Sequence, residues 1–96
     1  MKKYKIILNG QNFIMKTAEG SEKCGFYTTK YVEAENYTEA EKAAVESVRN
    51  DDELKKGVLN ERDNQPLIYI EKIEELESFD HLKALGEGYA FYPEKD

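Results

Sequence analysis

Gly25-Phe26-Tyr27-Thr28-Thr29-Lys30-Tyr31-Val32-Glu33-Ala34-Glu35 is a run of aromatic and β-branched residues that ends at Asn36-Tyr37-Thr38. Thr38-Glu39-Ala40-Glu41-Lys42-Ala43-Ala44-Val45-Glu46-Ser47 follows with a different rhythm. The period shifts from near two to near 3.6, which predicts a strand that hands over to a helix. In the strand, Phe26, Thr28, Lys30, Val32 and Ala34 take one face, and Tyr27, Thr29, Tyr31, Glu33 and Glu35 take the other. The Val32/Ala34 end is predicted to lie under the helix, which leaves the Tyr27/Tyr31 face open. Thr38 and Glu41 fit a capping box. Ala40, Ala44 and Val48 form a stripe of small side chains, so the helix can lie close on a sheet. This handover decides the fold class. It carries no reaction.

Upstream, Tyr4-Lys5-Ile6-Ile7-Leu8 and Asn12-Phe13-Ile14-Met15-Lys16 flank Asn9-Gly10. Asn-Gly tolerates the positive φ of a type I′ turn, so the pair predicts a hairpin of two short strands. Thr17 to Cys24 is polar, with Gly20-Ser21 near its middle, and reads as a loop into the strand at Gly25.

Downstream, Asn50-Asp51-Asp52 ends the helix, and one further turn closes at Gly57. Val58 and Leu59 are expected to pack back, and Asn60 to Pro66 to form a loop. Leu67-Ile68-Tyr69-Ile70 is apolar on both faces and reads as a central strand, continuing to about Ile73. Ile70, Ile73, Leu76 and Phe79 also recur at a helical spacing, which leaves residues 74–85 open between strand, helix and loop. Ser78 to Leu85 can hold a helical turn, stopped by Gly86-Glu87-Gly88. Tyr89-Ala90-Phe91-Tyr92 reads as a last short edge strand ended by Pro93. The expected fold is α+β: one domain over residues 1–96, with an antiparallel sheet in the order β-β-β-α-β, the final short strand, and one main helix packed on one face. A ferredoxin-like arrangement with a second helix is the alternative.

The chain has 96 residues, 35% of them charged, and a net charge of -6. Residues 1–48 carry seven basic and seven acidic residues, whereas residues 49–96 carry seven basic and thirteen acidic. The whole excess therefore sits in the second half, which disfavours nucleic acid and favours basic or neutral partners. A single cysteine, Cys24, fits a reducing compartment. The apolar run after Met1-Lys2-Lys3 is too short for a signal peptide and no stretch approaches a membrane span, so a cytoplasmic protein is expected.

Cys24 and the only histidine, His81, could in principle form a nucleophile pair, but neither sits in a supporting motif. Glu71, Glu74, Glu75 and Glu77 form an acidic run, and an extended strand would set Glu71, Glu75 and Glu77 on one side. Such a set can bind a hard cation, yet no EF-hand spacing accompanies it. A solvated, edge-protecting run is the plainer reading, and a basic partner surface is another. Tyr27, Tyr31 and Tyr69 can form an aromatic patch on the open face of the sheet. Bases stack on such patches in single-strand binders, but Lys30 lies on the opposite face, while Glu33 and Glu35 share the patch. A protein contact or dimer interface is preferred, against the plainer reading of tyrosines that merely cover the sheet. Gly86-Glu87-Gly88 is too short for a phosphate loop and precedes a strand. No cofactor or metal motif is found.

Asn12-Phe13, Gly25 to Ala34, Glu39-Ala40-Glu41 and Phe91-Tyr92-Pro93 together resemble a small family of uncharacterised bacterial proteins, a likeness that covers most of the chain and implies no activity. The strand–helix–strand order around Ala34, Glu39-Ala40 and Ile68-Tyr69-Ile70 is similar to that of HicB-like antitoxin domains. Those couple the order to a DNA-binding segment, which this sequence lacks, so the similarity is one of architecture.

The function expected from the residues is a non-enzymatic protein-interaction module, with an unidentified protein or a second copy as partner. Its contact surface would be the tyrosine face or the acidic residues Glu71, Glu75 and Glu77. One competing reading is a small enzyme or ligand-binding domain built on His81 and nearby carboxylates. Another is an acidic mimic that blocks a nucleic-acid-binding protein through carboxylates spaced like phosphates.

Overall fold

A computed structural model describes residues 1–80 and 88–94. The elements run β1 (Lys2–Thr17), β2 (Gly20–Ala34), α1 (Tyr37–Arg49), α2 (Asp52–Gly57), β3 (Leu67–Leu76) and β4 (Ala90–Pro93). The strands form one antiparallel sheet in the order β3-β1-β2-β4, with α1 packed across one face. The α+β class, the antiparallel sheet and the single main helix are as the sequence leads one to expect. Among the described residues, no helix is long and apolar enough to cross a membrane.

Two strands, and not three, precede the helix. Asn9-Gly10 is no hairpin turn: β1 runs straight through it, and the chain reverses at Ala18-Glu19, between Thr17 and Gly20. Gly20 there has φ 133°, a conformation open to glycine. Other demands account for the Asn-Gly pair. A Cβ on Gly10 would run into the buried rings of Phe26 and Phe13. Asn9 is itself buried and bonded across the sheet. The positive φ falls instead on Asn12, at 59°. Between the pairs Gly10↔Phe26 and Phe13↔Cys24, β1 spends one residue more than β2, which makes a β-bulge.

Past β3, the edge of β1 is completed by the segment after α2. Met15 bridges to Val58, the Leu59 N–H donates to the Ile14 carbonyl at 2.7 Å, and the Ile14 N–H donates to Asn60 Oδ1 at 2.8 Å. Asn60 Nδ2 in turn donates to the Asn12 carbonyl at 2.8 Å, so a side-chain amide imitates one rung of a ladder.

Residues that face each other across an antiparallel pair share a side of the sheet. Tyr4, Ile6 and Leu8 of β1 face Val32, Lys30 and Thr28 of β2. On β3, Ile68, Ile70 and Ile73 oppose Gly10, Leu8 and Ile6. This is the side that α1 covers. Tyr4, Ile6, Leu8, Phe26, Ala40, Ala44 and Val48 are all fully inaccessible, and the small stripe Ala40/Ala44/Val48 lets α1 settle onto those larger side chains. Leu54 of α2 joins the same core. Fully burying a side chain such as Leu8 or Ile6 contributes about 1.5–3 kcal/mol.

Two local expectations are corrected. The N-cap of α1 is Asn36, whose side chain accepts from the Glu39 N–H at 2.9 Å, so the predicted Thr38/Glu41 capping box is not used. Asn caps better than Thr, and it comes first in the chain. β3 is an edge strand, not a central one. It runs on to Leu76, so residues 74–76, which the sequence leaves open, are strand. The α2 turn is present with Asp51 as its cap, and β4 lies at an edge as anticipated. The helical turn proposed for Ser78 to Leu85 falls largely outside the described residues.

Candidate functional site

The side of the sheet away from α1 carries the alternate residues of the same strands. By register, Lys3, Lys5, Ile7 and Asn9 of β1 face Glu33, Tyr31, Thr29 and Tyr27 of β2. From β3, Leu76, Glu74, Lys72 and Tyr69 face the same four β1 residues. Tyr27 and Tyr69 therefore stand on either side of Asn9, with backbones about 10 Å apart, two strand spacings. Each is 46% exposed. Tyr31 shares this face but is half-buried, its ring 5.9 Å from that of Phe79. The three tyrosines singled out in the sequence thus lie on one side of the sheet, which no described helix covers.

Asn9 holds that surface together from below. Its Nδ2 donates to the Phe26 carbonyl and to Tyr92 Oη, both at 2.9 Å, and its Oδ1 accepts from Gln11 Nε2 at 2.7 Å. Tyr92 belongs to the patch as well, with its ring 5.6 Å from that of Tyr27. Gly25 lies opposite Tyr92, and a Cβ there would occupy the space of the Tyr92 ring. Sequence reading missed Tyr92, because the pairing of β2 with β4 joins positions distant in the chain. The available signal was a glycine opening a strand rich in bulky residues, which marks close approach.

The uncovered face also gathers more cations than the sequence suggested. Lys3, Lys5 and Lys72 share it with Glu33 and Glu74. Lys3 pairs with Glu33 at 3.8 Å and Lys72 with Glu74 at 4.0 Å, exposed pairs worth little in stability. Lys30 lies on the helix side as expected, 5.5 Å over the Tyr89 ring.

The acidic residues Glu71, Glu75 and Glu77 do not form one row. β3 ends at Leu76, so Glu77 leaves the strand. The register slips between Leu8↔Ile70 and Ile7↔Lys72, which makes Glu71 the inserted residue of a second bulge. Glu75 lies opposite Tyr4 on the helix side and reaches Lys2 at 3.9 Å. Among the described residues, no group of three or more metal-ligating side chains comes together.

Cys24 lies within β2, buried, and not in a loop. Burial first, then the carboxylates of Glu22 and Glu94, pushes its thiol above the ordinary value, the opposite of an activated nucleophile. Its proposed partner His81 lies outside the described residues. A tighter polar contact joins Tyr89 to the α1–α2 junction, where its hydroxyl donates to Asp51 Oδ2 at 2.7 Å. That bond, helped by the Glu53 and Leu54 N–H groups, holds the Asp51 carboxyl below its ordinary value against the opposing effect of burial. Burial and the same carboxylate push the Tyr89 phenol far up. Tyr89 also packs edge-on against Phe26 at 5.0 Å, so this contact clamps the segment before β4 onto the core.

A concave site lies on the helix side, where α1, α2 and the start of β3 meet. This cleft of about 570 Å³ is lined by Phe13, Leu54, Val58, Pro66 and Ile68, with Arg49, Lys55 and Gln65 around them. Among the described residues, no carboxylate lines it.

Comparison with family models, with curated proteins and with solved structures finds no match to this chain.

Proposed function

We propose that the chain is a small, cytoplasmic, non-enzymatic interaction module whose contact surface is the uncovered sheet face, with a second copy of itself as partner. One observation carries this reading: Tyr27 and Tyr69, each half-exposed, flank a buried Asn9 on the side of the sheet that no described helix covers. Tyrosines are enriched in interfaces because they add large, rigid, amphipathic area at low entropic cost. Here the patch is braced from beneath by the bonds of Asn9 and by the Tyr27–Tyr92 ring contact, so little ordering remains to be done on binding. Its mixed charges, Lys3, Lys5 and Lys72 beside Glu33 and Glu74, suit a protein surface better than a polyanion.

Sedimentation at rising protein concentration, with Tyr27→Lys/Tyr69→Lys alongside, tests the reading. Concentration-dependent self-association that the folded variant loses is the expected result. Self-association that survives in the variant but disappears at high salt would move the contact to the acidic residues Glu71, Glu75 and Glu77. A wild-type chain that stays monomeric at all concentrations would overturn the choice of partner.

A further inference from the structure

The cleft between α1, α2 and β3 joins two features, an apolar floor and a cationic rim. Its floor is apolar, with Phe13 and Leu54 buried and Val58 and Ile68 partly buried beside them. Its rim carries two cations, Arg49 from the last turn of α1 and Lys55 from α2. Among the described residues, neither has a carboxylate within ion-pair distance, as is also true of Lys5, Lys16 and Lys42. Both cations sit near helix C-termini, where they offset the negative end of the dipole. That accounts for their presence, but not for their meeting around one apolar cleft that no described acidic residue lines. In a chain of net charge -6, two cations around an apolar floor favour an anion locally against the overall charge.

We propose that the cleft is a binding site for a small amphipathic anion, a carboxylate head on an apolar body. The guanidinium of Arg49 offers a fork that matches a carboxylate with two parallel hydrogen bonds, and Lys55 adds a point charge. The apolar body takes the floor of Phe13, Leu54, Val58 and Ile68. The volume, about 570 Å³, is in the range of small-ligand sites. The site lies on the side of the sheet opposite the tyrosine face, so it stands independently of the interaction reading.

An NMR titration of amide signals with octanoate, and separately with octanol, tests the assignment. Octanoate should shift Leu54, Lys55, Val58 and Ile68 in a saturable way and bind roughly tenfold tighter than octanol. Arg49→Gln/Lys55→Gln changes only exposed side chains and should retain the fold. It should remove that tenfold preference and leave octanol binding unchanged. Equal binding of octanoate and octanol to the wild type, octanoate shifts scattered away from the cleft, or a preference that persists in the double variant would each overturn the proposal.

Discussion

The two faces of this sheet are built from alternate residues of the same strands, yet they have opposite fates. On the covered face, Tyr4, Ile6 and Leu8 are fully inaccessible beneath Ala40, Ala44 and Val48. On the other, Tyr27 and Tyr69 remain half-exposed among lysines and glutamates. Composition alone does not separate them, since tyrosine and isoleucine occur on both. The helix breaks the tie. Its stripe of small side chains needs bulky partners from the sheet, and only the Tyr4/Ile6/Leu8 side of β1 supplies an unbroken set. A β-rich sequence can therefore carry two aromatic faces, and the complementary element decides which becomes core.

The largest test of this contrast is steric. Gly10→Val places a side chain against the buried rings of Phe26 and Phe13. Overpacking of this kind should cost about 3 kcal/mol, read as a lower midpoint in urea unfolding. A midpoint unchanged from wild type would mean that the covered face is not packed as described.

The next test concerns the clamp on the covered side. Tyr89→Phe removes the hydroxyl that donates to Asp51 and should cost about 1 kcal/mol at neutral pH. Because the folded protein holds the Asp51 carboxyl below its ordinary value, that stabilisation is present above the unfolded carboxylate value, about 3.9. It is lost as pH falls through the lower folded value. The stability gap between wild type and Tyr89→Phe should thus be steady near neutrality and narrow in acid below about pH 4. Unfolding curves at pH 7 and pH 3 would expose a gap that instead stays constant or widens.

The smallest expected effect lies on the uncovered side. Tyr69→Ser should alter stability by no more than about 0.5 kcal/mol, because the ring is half-exposed on an edge strand. A loss as large as that of Gly10→Val, measured by the same urea titration, would show that the tyrosine face is part of the core and not a surface kept for contact.

Much of this contrast is written locally, and some of it is not. The change of period after Glu35 marks the strand-to-helix passage, and the spacing of Ala40, Ala44 and Val48 marks the buried stripe. The alternation of Tyr27 and Tyr31 places them on one face without any knowledge of their neighbours. Asn9-Gly10 misleads because two unrelated demands, ring clearance at Gly10 and a buried amide at Asn9, produce the same letters as a turn. Leu67 to Ile70 suggests a central strand because both its faces are apolar. In fact one face meets the core and the other, Leu67 and Tyr69, joins the uncovered surface. Tyr92 and Lys72 enter the patch only through strand pairing, which no local pattern encodes. The cleft is likewise invisible in sequence, since Phe13, Arg49, Lys55 and Ile68 meet only once α1, α2 and β3 are in place.

The inserted Glu71 has one more consequence. Ile70 and Ile73, three residues apart, both point to the helix side, so the alternation of β3 slips by one step at Glu71. A straight incoming strand keeps a strict two-residue rhythm. If it is in phase with Leu67–Ile70, it is out of phase with Lys72–Leu76, and its side chains land on the wrong faces for half of the contact. Among the described residues, the outer rim of β3 is therefore two short, mismatched ledges and not one ten-residue ledge. Fibrous stacking requires long runs of matched phase. The bulge breaks such a run near its midpoint, so the rim can stay open to water without seeding filaments.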